Sequence, residues 1–69
     1  MSRVADAERS VLGALEDLGY ASIFEDMFRQ EHENPGLLAI EIAELHELRL
    51  ETRKYQGRTI YKFTRIEAD

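Results

Sequence analysis

Leu48-Arg49-Leu50-Glu51-Thr52-Arg53-Lys54-Tyr55-Gln56-Gly57-Arg58-Thr59-Ile60-Tyr61-Lys62-Phe63-Thr64-Arg65 reads as two strands around a tight turn. Apolar and charged residues alternate on both sides of Gln56-Gly57, the period of a strand with one buried face. A two-residue turn there pairs Tyr55 with Arg58 and fixes the register. Leu50 then faces Phe63 and Thr52 faces Tyr61 on a core-facing side. On the solvated side Glu51 faces Lys62 and Arg53 faces Ile60. Glu51 and Lys62 are so placed for a cross-strand ion pair worth roughly 0.2–1 kcal/mol.

The same hairpin holds most of the positive charge. Between Arg49 and Arg65 there are six bases (Arg49, Arg53, Lys54, Arg58, Lys62, Arg65) against Glu51 alone. The first 48 residues carry eleven acids against three bases, and the whole chain has a net charge of −5. A split this sharp points to two faces with two jobs. A pI near 4.9 argues against non-specific nucleic-acid affinity, so any such contact must come from the local basic patch.

Upstream, apolar residues at Val4, Ala7, Val11, Ala14, Leu15 and Leu18 recur at helical spacing and predict a first helix over Arg3–Leu18. Gly19 suits its C-terminal stop, and Gly13 offers room for a neighbouring helix. Ser22-Ile23-Phe24-Glu25 forms a capping-box pattern that predicts a second helix. Its stripe of Ile23, Phe24, Met27 and Phe28 faces the core, and it frays near Glu31–Glu33. Asn34-Pro35 opens a third segment, Asn as N-cap and Pro at the first helical position. Leu38, Ile42, Leu45 and Leu48 line its inner side, with Leu37 and Ile40 widening that face, while Glu41, Glu44 and Glu47 share another. Residues 38–42 also partly alternate, which leaves a strand there as the other reading.

The expected fold is therefore α+β, three helices followed by a two-stranded β-hairpin. The alternative is two helices plus a three-stranded meander. Residues 1–66 form one domain, and 67–69 a disordered tail. A domain this small is marginal alone unless well packed or oligomeric.

Three helices and a basic hairpin resemble a winged helix domain. The residues that carry the resemblance are Glu44-Leu45-His46-Glu47-Leu48-Arg49-Leu50-Glu51-Thr52-Arg53 and Gly57-Arg58-Thr59-Ile60-Tyr61-Lys62-Phe63-Thr64. Small winged helix-turn-helix regulators of the ArsR and MarR types show a similar order over about this last part of the chain. The resemblance implies a transcriptional regulator with the third helix as recognition helix and the hairpin as wing. It nominates Arg53, Lys54, Tyr55 and Arg58 as DNA contacts, to which the basic charge of the hairpin adds Arg49 and Lys62. It also implies a homodimer, paired through helix one or a terminal extension. Independently of the resemblance, so small a domain has the helix-one stripe or the Phe24, Met27, Phe28 stripe to offer to such an interface. Against base reading, the third helix offers Glu41, Glu44 and Glu47 where Arg, Lys, Asn or Gln would be wanted, with only His46 as a donor. The alternative function is an acidic protein–protein interaction module, an anti-repressor or adaptor, on the same scaffold.

Other chemistries have little to stand on. The chain has no cysteine and no histidine pair at i, i+4, so neither a disulfide nor a metal site is expected. Glu31-His32-Glu33, with His46 as a remote second imidazole, is the nearest approach to a metal pattern. Glu16, Asp17, Glu25, Asp26, Glu31 and Glu33 read as solvated helix surface, the alternative being a face that mimics nucleic acid or docks a basic partner. There is no phosphate-cradling glycine loop and no nucleophile beside a base, so neither an enzyme nor a cofactor is expected. No apolar run suits a membrane span and no leader follows Met1, which places the expectation in the cytoplasm.

Overall fold

The structure, a computed structural model, describes residues 6–66. It contains α1 (Asp6–Leu18), β1 (Tyr20–Phe24), α2 (Glu25–Arg29), α3 (Pro35–Leu45), β2 (Leu48–Tyr55) and β3 (Arg58–Arg65). The strands form one antiparallel sheet in the order β1-β3-β2. The expected beginning of helix one at Arg3 and the expected disordered tail lie outside the described residues.

The hairpin has the expected register, with Leu50 opposite Phe63, Thr52 opposite Tyr61 and Tyr55 opposite Arg58. Gln56 and Gly57 take φ values of 51° and 80°, a turn of the kind whose twist matches a two-residue hairpin. α3 begins as expected: the Asn34 side chain accepts from the Leu37 amide at 3.1 Å, and Pro35 follows at the first helical position. It ends at Leu45, so Leu48 belongs to β2, and Leu37, Ile40 and Leu45, expected on its inner face, are exposed because Ala39, Ile42 and Ala43 take that side. Glu47 has a φ of 55°, outside the helix, and so leaves the face it was expected to share with Glu41 and Glu44.

The second helix is corrected. Tyr20–Phe24 is a strand, and only Glu25–Arg29 is helical. Ser22 caps nothing, because it lies within β1 opposite Lys62. β1 places Ala21 against Phe63 and Ile23 against Tyr61. It thus covers the free edge of β3 and adds to the core, which a fourth turn of helix at this point would not do. The sheet has three strands, as in the alternative reading, yet the added strand is Tyr20–Phe24 while residues 38–42 are helical.

All three helices pack on one face of the sheet. Ala7, Val11 and Leu15 of α1, Phe28 of α2, and Ala39, Ile42 and Ala43 of α3 close over Ala21, Tyr61 and Phe63. Phe28 fills the centre, stacked on Phe63 at 6.0 Å and edge-on to Tyr61 at 5.2 Å between ring centroids. Of the two apolar stripes, Ala7, Val11, Leu15 and Phe28 are buried inside the protomer, whereas Leu18, Phe24 and Met27 are exposed rather than in the core as expected. Gly13 is exposed, and among the described residues nothing approaches where its Cβ would stand and no helix uses the room it offers.

Polar contacts join the elements. The Glu31 carboxylate accepts from the amides of Asp6 and Ala7 at 2.8 and 2.7 Å, capping α1 from the α2–α3 loop. His46, just past α3, meets Glu8 of α1 at 2.6 Å. Gly19 ends α1 with a φ of 85° while its amide donates to Leu15. No described helix is long and apolar enough to cross a membrane.

Candidate nucleic-acid interface

Strand alternation sorts the hairpin into two faces. Leu48, Leu50 and Thr52 of β2, with Tyr61 and Phe63 of β3, point toward the helices. Arg49, Glu51, Arg53 and Tyr55, with Arg58, Ile60, Lys62 and Thr64, point away. β1 adds Tyr20, Ser22 and Phe24 to this outer face, and none of these residues is buried. The outer sheet face therefore carries Arg49, Arg53, Arg58 and Lys62 against Glu51, interleaved with Tyr20, Phe24 and Tyr55. β1 pairs with β3 only from Ile60 onward, so the hairpin tip extends past the rest of the sheet. Two further residue pairs at ~3.4 Å each and the turn carry it about 10 Å beyond.

Five of the six predicted contacts, Arg49, Arg53, Tyr55, Arg58 and Lys62, share this face. Lys54 does not, since alternation sets it on the helix side of the exposed tip. Their partners differ from expectation. Glu51 is held by Arg53 at 2.9 Å, along the same strand, rather than by Lys62 across the sheet. The Arg53 guanidinium keeps the Glu51 carboxyl below its ordinary range. Lys62 instead lies 5.6 Å from the centre of the Tyr20 ring. Arg58 sits 4.1 Å above the Phe24 ring and pairs with Asp26 of α2. Among the described residues, Arg49 and Lys54 have no ion-pair partner.

Sequence reasoning missed Tyr20 and Phe24, because it placed β1 in a helix or its approach. The signal was present: Tyr20-Ala21-Ser22-Ile23-Phe24 alternates after a helix-ending glycine. His46, the one donor expected of the third helix, is occupied by Glu8. Among the described residues no three His, Asp or Glu side chains gather where they could hold a metal ion.

Compared with protein-family models, curated proteins and solved structures, the chain matches none of them.

Proposed function

We propose that the chain is a winged helix-like regulator of transcription that holds DNA through phosphate contacts from its outer sheet face and hairpin tip. The element order α1-β1-α2-α3-β2-β3, with a projecting β2–β3 hairpin, supports the winged helix reading of the fold. The observation that carries the function is the gathering of Arg49, Arg53, Arg58 and Lys62 on the one sheet face that the helices leave open. An otherwise acidic chain has gathered four of its nine cations on a single surface, the arrangement that attracts a polyanion locally while repelling it elsewhere. Phosphates, not base edges, are the target: α3 presents Glu41 and Glu44 outward, so it is not the element that reads a groove. Two copies would set two hairpins on neighbouring stretches of one duplex, an arrangement that sedimentation with and without DNA tests.

The double variant Arg49→Gln with Arg53→Gln tests the assignment by fluorescence anisotropy on a labelled duplex. Both side chains are exposed, so the fold is retained. Affinity at low salt falls by about tenfold or more as two phosphate contacts are lost. Equal affinity with an unchanged melting temperature would sink the assignment.

A further inference from the structure

α3 carries a second surface, outside the sheet face assigned to nucleic acid. Ala39, Ile42 and Ala43 turn toward the core. The opposite side presents Leu37, Ile40, Glu41, Glu44 and Leu45, which at 3.6 residues per turn fall within an arc of about 140°. Leu37 and Ile40 are 44% and 47% exposed, and Leu45 is 70% exposed. α3 is thus apolar on both its inner and outer sides, unlike a helix that meets only water. It has no lysine or arginine, and among the described residues neither Glu41 nor Glu44 has an ion-pair partner.

The charges decide what covers this face. A two-fold contact between two α3 helices would bring Glu41 and Glu44 of both copies together, burying carboxylates with no cation on either helix. A head-to-tail contact with the basic sheet face of another copy closes only where its rotation generates a ring, and it would cover the face assigned to nucleic acid. A foreign helix with lysine or arginine beside an apolar stripe meets both requirements at once. It covers Leu37, Ile40 and Leu45 and neutralises Glu41 and Glu44. We propose that the outer face of α3 is the docking site for a basic amphipathic helix of a partner protein. The regulator then has two working surfaces, a basic sheet for nucleic acid and an acidic, apolar helix for protein.

The test uses two synthetic helical peptides with leucines at i, i+3, i+4 and i+7, flanked by lysines in one and glutamates in the other. Each is titrated into ¹⁵N-labelled protein. The lysine peptide shifts amides of Leu37–Leu45 and the glutamate peptide does not. Ile40→Ser weakens the lysine peptide by about tenfold, through loss of one buried aliphatic side chain. Glu41→Lys with Glu44→Lys transfers the preference to the glutamate peptide. These residues are exposed, so the variants keep the wild-type spectrum elsewhere. Shifts spread over acidic residues of α1 instead of α3, or equal binding by Ile40→Ser, would reduce the interaction to general charge attraction and overturn the proposal. Self-association abolished by Ile40→Ser would assign the face to a second copy and overturn it as well.

Discussion

Arg58, at the start of β3, ties the hairpin tip to α2: its guanidinium lies over the Phe24 ring while one nitrogen donates to the Asp26 carboxylate. A cation of the proposed phosphate-binding face is thus shared with an acid of its own chain. Asp26 competes with DNA for Arg58 and adds repulsion beside it. Asp26→Asn therefore raises duplex affinity several-fold at low salt, and steepens its salt dependence as one more counterion is exchanged. Anisotropy titrations over a salt series check this. Unchanged affinity would mean that Arg58 serves only to brace the hairpin.

Tyr61 and Glu25 give stability a pH signature. The buried Tyr61 hydroxyl donates to the Glu25 carboxylate at 2.7 Å. Burial first, and then this bond, push the Tyr61 pKa up from 10.0 to about 12. The Tyr61 hydroxyl, followed by Arg29, holds Glu25 below its ordinary 4.5. A raised tyrosine favours folding below pH 10, and that contribution is lost as the pH climbs toward 12. A lowered glutamate favours folding above pH 4.5, and that contribution is lost as the pH falls through its folded value. Melting temperatures measured against pH should decline at both ends. Tyr61→Phe makes the alkaline decline shallower and weakens the acid one, whereas an identical profile would contradict the roles given to the pair.

Two local defects can be relieved without touching either surface proposed for binding. Glu47 takes a left-handed conformation just past α3, where glycine fits without a Cβ penalty and a negative charge is poorly placed. Gly13 stands in the middle of α1 with open space around it. Glu47→Gly and Gly13→Ala each stabilise the fold by about 0.5–1 kcal/mol. In a domain of this size that raises the melting temperature by roughly 2–8 °C. A fall in melting temperature for either variant would contradict the backbone argument.

The Glu31 carboxylate serves as the N-terminal cap of α1 from a distant loop. Glu31→Ala leaves the Asp6 and Ala7 amides without this acceptor and costs about 1 kcal/mol. Hydrogen exchange should then quicken at the first turn of α1 and leave the β2–β3 ladder protected. Uniform acceleration across the protein would show that Glu31 supports the whole fold rather than one helix end.

The hairpin was legible pair by pair, because strict alternation and a two-residue turn leave one register for Leu50, Thr52, Tyr61 and Phe63. The start of α3 was legible too, since Asn34 and Pro35 act within their own turn. β1 was not. Ser22 and Glu25 match a local helix signal, but Ala21 and Ile23 gain more from Phe63 and Tyr61, partners far along the chain. Glu25 accordingly turns to Arg29 and Tyr61 instead of reaching back to Ser22. The same nonlocality hid the pairing of Arg58 with Asp26 and of His46 with Glu8. Positions of the cations along β2 and β3 follow from the sequence; their partners depend on where β1 and the helices end.

The most direct test is a ¹⁵N amide titration with a duplex of about 20 base pairs at roughly 50 and 200 mM salt. Shifts should concentrate on Tyr20–Phe24 and Arg49–Lys62, spare Leu37–Leu45, and weaken about 100-fold in affinity between the two salts, as expected for about four phosphate contacts. Shifts centred on α3, or none at either salt, would contradict DNA binding by the outer sheet face.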